Sequence, residues 1–385
     1  MMLRRLASIA VGGILTAALL LTVAGCATQQ AKVEEGPVKL VWPAPPLPTR
    51  IEFVRSIVSD EDLNQDTTFS QKMIDFLAGE KPPPNRLVEP MGLAISDDGN
   101  TLYVSDIAMH EVFVFDFGKK SFKTIKDLVW PIGLALDANQ NLYVVEQGKK
   151  GISVWDRDGK PLRFITDKSL DRPTGIVIDR ERGKFYIADT SHTKSADHSV
   201  KVFSLDGKLL GKVGSKGDGP GQFLFPTYVA LDAAGNLYVT DTLNCRVEMF
   251  DPNGKFLRQF GENGDAWGMF ARPKGVAVDS FGNLYVADSG WSNVQIFNQK
   301  GQVLLFFGGR GPIPGMLKNP TAVAIARNNH IYVGDYLNHR VEEYRLVNTT
   351  GSDSLTEPGL KAEGGEGTNS VQQVASSTKT TPGNK

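Results

Sequence analysis

Apolar and polar positions alternate along most of the chain. Val276 and Val278, followed by Leu284 and Val286, are typical, with β-branched and aromatic side chains prominent around them. A two-residue period of this kind marks β-strands with one face buried. Short segments rich in Asp, Asn and Gly separate the runs, as at 232–236 (DAAGN), 279–283 (DSFGN) and 251–254 (DPNG); Gly and Asn accept the positive φ that tight turns need. One phrase recurs six times: a proline, an apolar strand, a turn, and an apolar strand centred on Tyr and closed by an acid. The copies read EPMGLAISDDGNTLYVSD, WPIGLALDANQNLYVVE, RPTGIVIDRERGKFYIAD, FPTYVALDAAGNLYVTD, RPKGVAVDSFGNLYVAD and NPTAVAIARNNHIYVGD. Their prolines, Pro90, Pro131, Pro173, Pro226, Pro273 and Pro320, are spaced by about 40–50 residues, a period of solenoids and propeller blades.

Each repeat holds two further strands. The third is visible at 246–250 (RVEMF) and 294–297 (VQIF), the fourth at 256–260 (FLRQF) and 303–307 (VLLFF). A lone four-stranded meander cannot bury both faces, whereas six arranged radially pack face to face and leave short edges. The predicted fold is therefore all-β, a six-bladed β-propeller of four-stranded antiparallel blades. The last repeat ends at 341–346 (VEEYRL) without a fourth strand, and an unattached strand-like run, 50–58 (RIEFVRSIV), precedes the first. The ring is expected to close with this N-terminal strand, sparing it an open seam. Residues 69–79 (FSQKMIDFLAG) predict a short helix capping the ring through Met73, Phe76 and Leu77. The resulting organisation is a leader over 1–25, a Pro-rich tether over 26–49, the propeller over 50–346 and a tail over 347–385 whose Gly, Ser, Thr, Glu and Lys content predicts disorder.

The run from Pro273 to Asp288, with Asp241, Asn244, Arg246 and Val247, resembles the NHL repeat family, whose signature is P-x-G-φ-A-φ-D-x-x-G-N-φ-Y-V-A-D-x-x-N-x-R-V. The resemblance covers about residues 50 to 346 and implies the propeller. It does not imply a function, because such folds host enzymes, RNA binders and scaffolds.

Arg4 and Arg5 precede an apolar stretch from Leu6 to Ala24, followed by Gly25 and Cys26. This reads as a secretory signal, and the segment Val23-Ala24-Gly25-Cys26 looks like a bacterial lipobox. The resemblance implies cleavage before Cys26, lipidation of that cysteine, and a lipid-anchored protein of the bacterial envelope; Ala27 suggests the outer membrane. The other cysteine, Cys245, has no disulfide partner if Cys26 is acylated and is read as an inert, semi-buried thiol. Charge is nearly balanced, 42 basic against 43 acidic residues. No global field for nucleic acid exists. A monomer is expected.

Recognition concentrates on loops held by a rigid scaffold. The blade connections at 214–226, 261–273 and 308–320 and the insertion at 189–200 emerge on one face, where the ligand site is expected. The residues after the repeat prolines, Met91, Ile132, Thr174, Thr227, Lys274 and Thr321, are expected to line the channel mouth. The chain is similar to amidating lyases, in which histidines at several such positions bind a metal; none of these six can do so, and neither a metal, a cofactor nor a catalytic residue is expected. His110, His198 and His339 occupy equivalent loops of different blades, and the recurring acids Asp106, Glu146, Asp189, Asp241, Asp288 and Asp335 are read as acceptors for backbone N–H groups. The candidate ligand-binding residues are Arg172, Thr174, Thr227, Arg272, Lys274, Lys318 and Thr321, with Trp130, Phe225, Trp267 and Trp291 nearby. Cations and aromatics together suit a protein, peptide or glycan partner. The predicted function is a tethered binding or scaffolding module; the alternative is a metal-dependent lyase or lactonase of the same fold.

Overall fold

The protein is represented by a computed structural model, which describes residues 40–63, 85–192 and 197–348. Six antiparallel sheets follow one another around an axis. From the axis outward, blade 1 consists of Pro90–Ile95, Thr101–Asp106, Glu111–Asp116 and Ser121–Ile125. Blades 2 to 5 repeat this meander from inner strands Pro131–Leu136, Pro173–Asp179, Pro226–Leu231 and Pro273–Val278. Blade 6 takes Pro320–Ile325, His330–Asp335 and Arg340–Leu346 from the C-terminal part and Ile51–Ile57 as its fourth strand. Neighbouring inner strands touch all the way round, the sixth against the first. The chain is an all-β six-bladed propeller closed by its N-terminal strand.

Six separate apolar layers, one between each pair of blades, form the core. On the closing strand, Ile51 enters the layer between blades 5 and 6, and Ile57, beyond a register shift between Phe53 and Arg55 that switches the alternation, enters the layer between blades 6 and 1. The repeated tyrosines Tyr143, Tyr238, Tyr285 and Tyr332 are almost fully buried. Their hydroxyls keep polar partners, as in Tyr238 to Asp232 and Tyr285 to Asp279, 3.2 and 3.1 Å, satisfying the polar tip of an otherwise apolar side chain.

Each repeat proline starts an inner strand and pairs with the acid that ends the second strand, Pro90 with Asp106 through Pro320 with Asp335. In every blade the register shifts just after the proline; a bulge is where a residue without an N–H is tolerated. In blades 1, 2, 3 and 5 the glycine two positions further on permits close approach of the next blade. A Cβ on Gly92 would lie 1.9 Å from the Ile132 carbonyl oxygen, and one on Gly275 2.6 Å from the Ala322 Cα.

Side chains as well as the ladder hold the closing seam. Arg55 Nε meets Glu343 Oε2 at 2.5 Å, Arg345 pairs with Glu52, and the Ser56 hydroxyl donates to Glu342 Oε2 at 2.6 Å. Val41–Trp42 adds a short fifth strand to blade 6, and Trp42 packs edge-on against Tyr344 at 5.7 Å. The Pro-rich stretch read as tether over 26–49 is therefore docked on the blade from residue 40 onward, because Trp42 finds an apolar seat there. The expected helix at 69–79, the leader with Cys26, and the tail beyond 348 lie outside the described residues. Among those described, no helix is long and apolar enough to cross a membrane.

Glu342 is fully buried in this seam. Burial pushes its carboxyl up to about 7, opposed by Arg340 and by the Ser56 and Gly315 hydrogen bonds. Between the ordinary 4.5 and about 7 the folded protein keeps a proton that the unfolded chain has released, so this group's contribution to stability falls as pH rises through that window. Blade 5 has a neutral counterpart: Gln295 accepts the Gly268 N–H at 3.1 Å as Glu342 accepts that of Gly315. Glu342→Gln should therefore fold and flatten the pH dependence by up to about 3 kcal/mol across the window, as read by urea unfolding at pH 4.5 to 8. Parallel wild-type and variant profiles would contradict this.

Candidate ligand-binding face

The loop face is built by the six acids. Asp106 Oδ2 accepts the N–H groups of Val88 and Glu89 at 2.6 and 2.9 Å, and its Oδ1 those of Ala108 and Met109 at 3.2 and 3.1 Å. Asp288 accepts from Ala271, Arg272, Gly290 and Trp291. Asp189 and Asp335 likewise take both N–H groups ahead of their prolines, whereas Glu146 and Asp241 take one each. Each such bond contributes about 1.5–3 kcal/mol, so four offset the several kcal/mol that burying a carboxylate costs. Burial still raises the carboxyl of Asp106 above its usual range and pushes that of Asp241 up to about 6. The residue after each acid completes the clamp, its N–H reaching the carbonyl before the proline, Ile107 to Glu89 through Tyr336 to Asn319.

The clamp fixes the positions after the prolines, where hydroxyls bridge the blades. Thr321 Oγ1 donates to the Pro90 carbonyl at 3.1 Å and Thr174 Oγ1 to that of Thr227 at 2.8 Å, and both threonines are buried. Ser105, Gln147 and Thr242 bridge other seams, and Thr190 bridges the same one as Thr174. Thr227 is half-buried in a hydroxyl cluster, 2.6 Å from Thr242 and 3.2 Å from Thr240. Thr174, Thr227 and Thr321 thus lie near the mouth with their hydroxyls engaged in the wall. Arg272 and Lys318 are exposed, Arg172 and Lys274 half-buried. None of the four cations forms an ion pair among the described residues. Lys274 Nζ has Asn319 Oδ1 at 3.5 Å; burial, with Arg272 adding repulsion, pushes its ammonium down to about 8.

Two features escape a motif search. Blade 4 has Tyr228 where four other repeats carry the signature glycine, and its hydroxyl crosses the axis to the Met91 carbonyl of the opposite blade at 2.8 Å. Burial holds the phenol well above its usual range. The departure from P-x-G to Pro226-Thr227-Tyr228 is its only sequence signal. The second feature is a cavity of about 440 Å³ at the other end of the axis, lined by Val177, Leu231, Val278, Ile325 and Arg180. Arg180 spans three blades there, its Nη1 donating to both carboxylate oxygens of Asp97 at 2.8 and 2.7 Å and its Nε and Nη2 to the Leu136 carbonyl.

The loop histidines serve separate seams. His110 Nδ1 lies 3.2 Å from the Leu128 carbonyl, His339 Nδ1 against that of Val88, and His198 Nδ1 accepts the Phe225 N–H at 3.0 Å. Cys245 does the same work, its Sγ 3.4 Å from the Ala271 carbonyl, and burial raises its thiol. Among the described residues no three His, Cys, Asp or Glu side chains are grouped to hold a metal ion.

Apolar exposure is uneven between the two faces. On the loop face Trp267 is 66% exposed, Trp130 51% and Trp291 40%, joined by Met109, Leu243 and Leu337; on the opposite turns Leu47 and Phe281 are exposed among the described large apolar residues.

Together the clamped prolines and six-part ring define a repeat-built propeller with its variable chemistry on one face. The chain carries an NHL repeat: the NHL repeat family model matches residues 270–297. NHL repeat-containing protein 3 of Homo sapiens is 30% identical over 150 residues, 38% of this chain and 36% of that protein. The chain spans about a third of the length of the curated relatives it matches. Among solved structures, a protein of unknown function from Bacteroides thetaiotaomicron VPI-5482 superposes with a TM-score of 0.55 at 15% identity, over 68% of this chain and 70% of that one. A gluconolactonase from Xanthomonas campestris gives 0.53 at 18% identity, over 68% and 86%. At such identities the likeness is one of fold alone.

The setting of Lys274 predicts its reactivity. Its amine should acylate with a pH midpoint near 8, against about 10.4 for ordinary lysines, as followed by peptide mass mapping. A midpoint shared with the surface lysines would contradict this.

Proposed function

We propose that this NHL propeller is a binding module whose loop face holds a protein, peptide or envelope glycan, and that lipidation of Cys26 tethers it in the bacterial envelope. The observation that carries the reading is the loop face itself. Three exposed tryptophans and four cations without ion pairs stand on backbone clamped by buried acids. Exposed apolar surface on a rigid frame, mixed with unpaired charge, is what a partner can desolvate and pair. The cations near the mouth, Arg172, Arg272, Lys274 and Lys318, suit acidic groups on that partner. Catalysis of lyase or lactonase type has less to recommend it: the mouth positions are Met91, Ile132, Thr174, Thr227, Lys274 and Thr321, and the threonine hydroxyls are engaged within the wall.

The test is capture from detergent-solubilised envelope by wild type and by Arg272→Glu with Lys274→Glu. Reversal of two charges should reduce capture at least about tenfold. Undiminished capture would remove this face, and stoichiometric metal with turnover of a lactone or lyase substrate would overturn the binding reading.

A further inference from the structure

Blade 5 departs from its neighbours beneath its incoming linker. In blade 4, Arg246 lies buried beneath the incoming linker and donates from Nη1 to the Asp218 carbonyl at 2.6 Å and from Nη2 to those of Gly219 and Gln222 at 3.0 and 2.7 Å. In blade 6, Arg340 makes the same three bonds, to Pro312, Ile313 and Met316, at 2.9, 2.8 and 3.1 Å. Both arginines pair across the ladder with the blade's acid, Asp241 and Asp335. The residue in that register in blade 5, opposite Asp288, is Asn293. Its side chain leaves the strand in the same direction but is too short to reach as an arginine does.

The linker is otherwise retained. Gly264 has its N–H on the Phe270 carbonyl, as Gly217 has on that of Phe223 and Gly311 on that of Leu317. Trp291 Nε1 donates to the Gly264 carbonyl at 2.9 Å, as Asn244 and Asn338 donate to those of Gly217 and Gly311. Of the three carbonyls that receive guanidinium in the neighbouring blades, that of Met269 is taken by Gln295 Nε2 at 2.8 Å and that of Ala266 accepts a turn bond from Met269. Asn293 Oδ1 is buried with no hydrogen-bond partner, an arrangement that costs free energy until a donor arrives.

The surroundings differ from those of blades 4 and 6: the buried glutamate that pairs with the arginine there, Glu248 or Glu342, is Gln295 here, while the outer side of the linker gains indoles. Pro220 and Pro314 give way to Trp267, which stands 66% exposed with its ring edge-on to Phe306 at 5.0 Å, and the Asn position gives way to Trp291. Glu262 and Asp265 are exposed on the linker, which carries no Lys or Arg from 262 to 271. Indole faces, carboxylates and carbonyl oxygens all favour a cation.

We infer that the blade 5 linker is a receptor for an arginine side chain supplied by a partner, its guanidinium taking the place that Arg246 and Arg340 fill in blades 4 and 6. A planar fork matches adjacent carbonyls and stacks on indole better than an ammonium does. The inference rests on the reading of the loop face as a docking surface and specifies one anchor on it.

The probe is Nα-acetyl-arginine amide titrated into the full chain, with the Trp267 and Trp291 indole N–H resonances observed by NMR; the citrulline and lysine analogues are controls. Arginine should shift both resonances saturably, and citrulline, which lacks the charge, should bind at least about tenfold more weakly. Asn293→Arg, which fills the cradle from within, should abolish the shifts. Trp267→Ala, an exposed position, should weaken binding severalfold even if Asn293→Arg does not fold. Absence of a saturable shift, equal response to citrulline or lysine, or unchanged binding in Trp267→Ala would overturn the assignment. Any of these leaves capture through Arg272 and Lys274 to be judged on its own readout.

Discussion

A buried carboxylate at the end of each second strand organises this molecule. It gathers the N–H groups of the chain entering the blade, which otherwise would have no ladder partner beside a proline and a bulge. Its placement sets where the proline stands, hence which residue reaches the channel mouth and which hydroxyl meets the next blade. Without the carboxylate, desolvated N–H groups would be left at the junction of linker, inner strand and seam. The six apolar layers give bulk stability; the acids give the rim its shape.

That division explains why some of the molecule was legible in one sequence. The blades announce themselves because alternation, turn residues and the proline-to-acid phrase are local, and the closing strand follows from counting strands in the last repeat. The roles of Thr174 and Thr321 were not legible in the same way. Both stand in the ring after the proline, but what their hydroxyls meet, the carbonyls of Thr227 and Pro90, is set by ring closure. Tyr228 showed only as a missing glycine, and the reach of Arg180 to Asp97 left no local trace. The histidines of blades 1, 3 and 6 are equivalent in sequence yet each serves its own seam.

The two faces diverge because the repeat constrains them differently. On the turn face the Asp of DAAGN and DSFGN caps its own turn, as Asp232 and Asp279 do through their Asn partners, leaving little free chemistry. On the loop face the same regularity fixes the backbone and leaves side chains such as Trp130, Arg272 and Trp291 free to vary. Blade 5 shows the latitude most plainly: Gln295 stands where blades 4 and 6 have Glu248 and Glu342, and Asn293 where they have arginine.

Amide hydrogen exchange at the residues just before the prolines tests the carboxylate clamp most directly. If the acids hold these linkers, the N–H groups of Val88, Glu89, Ala271, Arg272 and Asn319 should exchange as slowly as those of the inner strands, and Asp288→Ala should release Ala271 and Arg272 while blade 2 stays protected. Exchange of these amides in the wild type at the rate of exposed turns would contradict the account.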